Sequence, residues 1–241
     1  MENVMTPAVL DSDRLVIVPT EHFAQVAAEC IGRLIEDAAA RAHVALAGGN
    51  TPRAVYQALS QMRLPWDRMD IYFGDERAVP PSDPQSNYRM ARETLLDVTP
   101  IPPAQIHRMF TERSDLEAAA ADYAACLPDR LDLIVLGIGE DGHTASLFPG
   151  SPALDERARK VVVVEAPKPP HRRLTVTPPV IASAYAKIVL ASGAEKARAV
   201  ACALSATSEI RECPAQLARD GTWIMDRAAA ALIRSKSQAG T

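Results

Sequence analysis

The sequence is short of positive charge, of long apolar runs and of paired metal or redox ligands, and each shortage excludes a class of protein. Its 241 residues carry 26 Lys and Arg against 30 Asp and Glu, a formal charge of −4. No overall basic field draws in nucleic acid or an anionic membrane, so a phosphate site has to be assembled locally. No uninterrupted apolar stretch approaches the roughly 20 residues needed to span a bilayer, and the opening MENVMTPAVLDSDR has neither a cationic leader nor an apolar core. The expectation is a soluble protein of the cytoplasm. Cys30, Cys126, Cys202 and Cys213 form no C-x-x-C pair and read as free thiols that pack as small hydrophobes. His22, His43, His107 and His171 are scattered, and none stands at ligand spacing from His143, so no metal is expected. With no repeat or low-complexity linker, the chain reads as one domain over 1–241.

What is there is alternation. Residues 21–41 place Phe23, Val26, Ala27, Cys30, Ile31, Leu34, Ile35 and Ala38 at helical spacing, ahead of the strand HVALA at 43–47. GGNTP at 48–52 opens a second helix, with Thr51 as N-cap and Pro52 at the first helical position. MDIYF (69–73) reads as a strand, 86–96 as a helix, and S-D-L-E at 114–117 as a capping box. Further strands are LDLIVL (131–136), VVVV (161–164), RLTVT (173–177), AKIVLA (186–191) and TWIMD (222–226), with helices near 179–184, 194–205 and 227–234. Near-continuous apolar strands alternating with helices imply a mostly parallel sheet covered on both faces. Ligands bind such sheets beyond the carboxyl ends of the strands.

Four polar islands occupy strand ends. GGNTP lets the backbone approach a ligand and offers a helix N-terminus to a phosphate, with Asn50 and Thr51 as added donors; a plain tight turn is the other reading. GDER (74–77) offers Asp75 and Glu76 as proton acceptors and Arg77 as an anion ligand, or else a solvated ion pair. The proline-rich AVPPSDPQSNY after it makes a wall or lid ending in Ser86, Asn87 and Tyr88. SGAEK sets Lys196 in the first turn of a helix, where the dipole disfavours it unless an anion is bound; an exposed lysine is the alternative. Arg172 and Arg173 either complete a cationic cluster or flank a strand.

The fourth island, GIGEDGHTASLFPG (137–150), satisfies G-x-G-x-x-G, with Glu165 at the distance of a ribose-binding acid. Glu140 and Asp141 would bring negative charge to a pyrophosphate, however, and Pro149 cuts short any helix after Gly142. The better reading makes His143 a general base, with an ordinary pKa of about 6.5, oriented by Asp141 or Glu140. Ser146 lacks a G-x-S-x-G elbow and is set aside as a nucleophile.

GGNTPRAVYQAL, FGDERAVPPSDPQSNYRMARETLL, GIGEDGHTASLFPG, RRLTVTPPVIASA, SGAEKARAV and WIMDRAAA, in this order and at these separations, together resemble the 6-phosphogluconolactonase family over nearly the whole chain. DERAVPPSDPQSNY and GEDGHTASLFPG are the most specific pieces. The resemblance implies a Rossmann-like three-layer αβα sandwich, shared with the glucosamine-6-phosphate isomerases, with no dinucleotide, cofactor or metal. It implies hydrolysis of 6-phospho-D-glucono-1,5-lactone to 6-phosphogluconate: His143 as base, Asp75 and Asp141 beside it, and Arg77 or the glycine turn on the developing oxyanion. Gly48, Gly49, Asn50 and Thr51, with Lys196 and Arg173, would hold the phosphate, and Asn87 would join the substrate-binding wall. Where the family more often has SGGSTP, this chain has AGGNTP, which removes a hydroxyl and leaves the backbone donors. Arg172 and Arg173 are both open as the phosphate ligand, because the loop before them admits a one-residue slip. The expected partner is a small phosphosugar lactone, with no nucleic acid or membrane, for a monomer or weak homodimer. Three rivals remain. A related deaminase would carry an acid before Pro-Gly, where this loop has L-F-P-G; a phosphosugar sensor would carry a DNA-binding segment, and no such flank is evident; a nucleotide oxidoreductase fails on the acids.

Overall fold

The structure, a computed structural model, describes residues 14–233. The opening stretch to Asp13 and the end of the 227–234 helix lie outside that range. In chain order the elements are β1 (Leu15–Val18), α1 (Thr20–Glu36), β2 (Ala42–Leu46), α2 (Asn50–Leu59), β3 (Met69–Phe73), β4 (Asp75–Arg77), α3 (Asn87–Ala91), α4 (Leu116–Cys126), β5 (Leu133–Gly137), β6 (Val161–Glu165), β7 (Arg172–Val176), α5 (Pro178–Ser183), β8 (Ala186–Ala191), α6 (Ala197–Leu204) and β9 (Thr222–Asp226). Six strands form a parallel sheet in the order β1-β9-β8-β5-β2-β3. In its central strand β5, Leu133 and Val135 face a core with α1 and α2, built around Phe23, Ile31, Val55 and Leu59. Ile134 and Leu136 face the other core, with Tyr123 of α4, Ile181 of α5 and Val200 of α6. Period-2 alternation with both faces buried explains why these strands read as unbroken apolar runs. The result is the three-layer αβα arrangement.

Several expectations need correction. VVVV and RLTVT do not join the parallel sheet. They are β6 and β7 of a separate antiparallel sheet, in the order β4-β7-β6. Residues 166–171 between them are too few for a parallel crossover, which takes about a dozen or more, so the chain can only turn back on itself. GDER is strand β4 of that small sheet rather than a loop. An edge strand, β1, was not anticipated; it pairs with β9. Helix α2 begins one residue before Thr51, with Gly49 as N-cap at φ 102°, so Pro52 is third in the helix, where its missing N–H is still harmless. The N-cap of α4 is Asp115, not Ser114, and accepts from Ala118 N at 3.0 Å. The 86–96 helix is α3 followed by a π-turn at Arg92–Leu96. A 3-10 turn, Ala194–Lys196, precedes α6, and residues 227–232 form turns where a helix was expected. No helix among the described residues is long and apolar enough to cross a membrane.

Candidate active site

The carboxyl ends of β2, β5 and β8, together with β4 and β7, surround a cleft of about 180 Å³. Gly48, Gly49, Asn50, Thr51, Asp75, Arg77, Asn87, His143, Arg173 and Lys196 all line it. The expected base and substrate-binding residues are thus brought to one place, with Asp141 directly behind His143, whereas the candidates Glu76 and Arg172 are not among them. A roomier groove of about 720 Å³ runs along β6 and the 148–156 loop, but its Glu156 and Arg159 are paired with each other and leave no convergent charge for a ligand.

After β5 the chain turns on Gly139, whose carbonyl accepts from Gly142 N at 3.0 Å and whose N–H donates to His143 O at 2.9 Å. Gly142 has φ 83°, and a Cβ there would lie 2.8 Å from Cys213 Sγ, so only glycine fits. The turn carries Asp141 back over His143: Oδ1 lies 2.5 Å from Nδ1 and accepts the backbone N–H of His143 at 3.2 Å. Burial pushes the Asp141 pKa up, but the hydrogen bond and charge of His143 prevail and bring it to about 2. Glu140, the alternative partner, is exposed. With Nδ1 committed to Asp141, Nε2 is the ring nitrogen left for chemistry. The ring rests on Gly139, where a Cβ would come within 2.0 Å of Nδ1, and against Phe148, at 4.7 Å between centroids.

Asp75 is buried, and each of its oxygens takes one internal hydrogen bond: Oδ1 from Asn87 Nδ2 at 3.0 Å and Oδ2 from Ser146 Oγ at 2.5 Å. A carboxylate has about four lone-pair sites, so both oxygens keep capacity toward the cleft. Asn87 also donates to the Asp75 carbonyl at 2.9 Å. It lies so close over Gly48 that a Cβ there would meet Oδ1 at 1.8 Å. Glu76 points away from the cleft and acts structurally, accepting from the backbone N–H of Arg77, Asn87 and Tyr88 and from Ser86 Oγ. Burial pushes its pKa up against those four bonds.

Among the described residues, the cations converge without forming an ion pair with a carboxylate. Arg77 and Arg173 stand directly opposite on β4 and β7, an arrangement that costs stability when like charges are uncompensated. Arg173, 7 % exposed, donates only to the carbonyls of Pro170 and Lys168 and lies over the Phe148 ring at 5.5 Å. Burial, then repulsion from Arg77, lowers its pKa, with Asp75 opposing. Arg172 points the other way, 3.8 Å from Glu165, so Arg173 and not Arg172 lines the cleft. Lys196, at the N-cap position of α6, makes no ion pair among the described residues and faces the N-terminus of α2 across the cleft. Two residues that sequence reasoning missed hold the loops in place. Asp226 accepts from Ser192 Oγ, Gly193 N, Ala229 N and Thr20 Oγ1; burial raises its pKa, but these donors win and lower it. The Tyr56 hydroxyl bonds both N–H and C=O of Ala47 just before the glycine pair.

A family model described as glucosamine-6-phosphate isomerases/6-phosphogluconolactonase matches residues 18–225. The chain is 39 % identical over 232 residues to a 6-phosphogluconolactonase of Streptomyces coelicolor, spanning 86 % of this chain and 88 % of that one. It superposes on the 6-phosphogluconolactonase of Trypanosoma brucei with a TM-score of 0.81 at 29 % identity, over 92 % of this chain and 99 % of that one. A monomeric glucosamine-6-phosphate deaminase shares the fold, with a TM-score of 0.82 at 24 % identity over 91 % and 99 % of the two chains. With its strand-end cleft, its histidine on a glycine turn and a family match spanning nearly all the described residues, the chain belongs to the glucosamine-6-phosphate isomerase/6-phosphogluconolactonase family.

Proposed function

We propose that the chain hydrolyses 6-phospho-D-glucono-1,5-lactone to 6-phosphogluconate, the second step of the oxidative pentose phosphate pathway, by direct attack of water. One observation carries this reading: the Asp141-oriented Nε2 of His143 opens onto a cleft whose other walls hold Arg77, Arg173 and Lys196, none of them ion-paired among the described residues. A lactone is an activated ester, so a base and an oxyanion stabiliser suffice. His143 Nε2 takes a proton from water as its oxygen attacks C1, and Asp141 stabilises the imidazolium. Negative charge gathers on the former carbonyl oxygen beside Arg77. Collapse breaks the bond between C1 and the ring oxygen, and His143 returns its proton to that oxygen. The new carboxylic acid then ionises to solvent. Asp75 receives sugar hydroxyls or orders the water. The phosphate, remote from the bond that breaks, sits on Gly48, Gly49, Asn50 and Thr51 at the α2 N-terminus, with Arg173 and Lys196, and so positions C1.

Ser146 supports the non-covalent route: it is fully buried and donates to Asp75, not to His143. Phe148 stands before Pro149 where a deaminase would need an acid, which disfavours that rival. Asn87 serves the wall by packing over Gly48 while donating to Asp75. Every group invoked comes from one chain, which suits a single α/β unit acting as a monomer or weak homodimer. The test generates the lactone in situ from glucose 6-phosphate and follows its disappearance; purified protein is expected to accelerate it well above the spontaneous rate. No acceleration overturns the proposal.

A further inference from the structure

His143 and Asp75 stand on different sheets. His143 follows β5 of the parallel sheet, whereas Asp75 opens β4 of the antiparallel one, and no strand ladder joins the two. Their separation is therefore not set by either sheet alone. Ser146 bridges it. Its Oγ donates to Asp75 Oδ2 at 2.5 Å, the short range of a charge-assisted bond, and its backbone N–H donates to Thr175 Oγ1 at 3.2 Å. Thr175 is the register partner of Asp75 across β4 and β7. One residue of the His143 loop thus grips both strands that carry the opposite wall.

The loop is built to make that grip. Thr144 anchors it through Oγ1 on the Gly137 carbonyl at 2.9 Å, and Thr144 and Leu147 close a tight turn. Within the turn Ala145 takes φ 47°, a left-handed conformation that a non-glycine residue keeps only where its surroundings over-determine it. The outcome is a Ser146 with no exposed surface. It cannot reach substrate, and its hydroxyl is spent on Asp75.

We propose that Ser146 is a positioning residue that acts through Asp75, clamping the Asp75 strand to the His143 loop so that both groups meet the substrate in fixed relation. This rests on the lactonase reading above. Geometry errors of about 1 Å cost on the order of a hundredfold in rate, so the clamp should show in turnover rather than in binding, because Gly48, Gly49, Asn50, Thr51 and Lys196 lie on other elements and Arg173, though on β7, is held by the Pro170 and Lys168 carbonyls.

The test compares wild type, Ser146→Ala, Asp75→Asn and the double variant for kcat and KM on lactone generated in situ, with 6-phosphogluconate affinity by calorimetry and folding by circular dichroism. Ser146→Ala is expected to lower kcat by about tenfold to a hundredfold, with KM and product affinity within about twofold. In the Asp75→Asn background the same change should cost less than about twofold, since residues that act as a unit are not additive. Where Ser146→Ala fails to fold, Ser146→Cys, close in shape but a weak donor, carries the comparison. Unchanged kcat in the folded variant, or a loss of equal size in both backgrounds, overturns the role of Ser146 alone. An inactive wild type overturns the lactonase reading and the clamp with it.

Discussion

Two histidine–aspartate pairs lie at opposite ends of the parallel sheet. At the amino end of β3, His107 Nε2 is 2.9 Å from Asp70 Oδ1. There the other oxygen of Asp70 meets Arg41 at 3.4 Å, the His107 ring stacks on Tyr72 at 4.6 Å, and His107 N donates to Ile71 O. Both oxygens of Asp70 at that end are answered by cationic or ring partners, and the network ties the 101–107 segment to the sheet edge. Beyond the carboxyl end of β5, His143 and Asp141 make a closer pair, at 2.5 Å, and the cations facing it are left for a ligand. The pairing is common to both ends; what separates a site from a strut is uncompensated charge around it.

The sharpest way to break this contrast is to remove each imidazole. His143→Ala is expected to lower kcat/KM by about 10²- to 10⁴-fold while 6-phosphogluconate still binds in calorimetry. His107→Ala should leave kcat unchanged and lower Tm by a few degrees, about 1 kcal/mol for a domain of this size. Equal kinetic losses would erase the distinction. Next in size is Gly139→Ala: the added Cβ occupies the place of Nδ1, so the ring must leave Asp141, and kcat should fall about tenfold to a hundredfold with KM little changed. Steady-state kinetics decide it. Neighbouring arginines offer a third contrast. Arg173→Ala should raise KM about tenfold or more, whereas Arg172→Ala, facing Glu165, should leave it within about twofold.

The smallest effect concerns pH. The Asp141 pKa falls from 3.8 to about 2 on folding, so its stabilising contribution is complete above pH 4 and is lost as pH drops toward 2. Asp141→Asn should therefore cost stability near neutrality, by less than about 1 kcal/mol for a half-exposed pair. That cost should vanish in acid. Urea unfolding of both proteins from pH 6 down to pH 2 would show whether the gap closes.

Much of the fold and site is legible in the sequence. Islands at strand ends, a histidine on a glycine turn and a helix opened by two glycines are local patterns, and local patterns survive folding. What escaped reading was the pairing of distant segments. Nothing in VVVV or RLTVT alone says antiparallel; the six-residue link does, once the length of a crossover is considered. The structural duty of Glu76 depends on N–H groups ten and more residues away. Ser146 lacks a nucleophile elbow in the sequence, and its bond to Asp75 spans 71 residues and leaves no trace in spacing. Asp226 was visible only as the last letter of a strand, and its grip on Ser192 and Gly193 appears when β8 and β9 lie side by side. The choice between Arg172 and Arg173 needed strand register, which alternates faces residue by residue.

Arg77 and Arg173, set face to face across a short ladder, make the fold itself a sensor of its ligand. Whatever anion settles between them relieves their repulsion in the folded state alone, so occupancy and thermal stability rise together by mass action. Inorganic phosphate and 6-phosphogluconate should each raise the unfolding temperature in proportion to the logarithm of their concentration. On the proposed reading, the strand pair that holds the substrate is also the part of the molecule that substrate holds together.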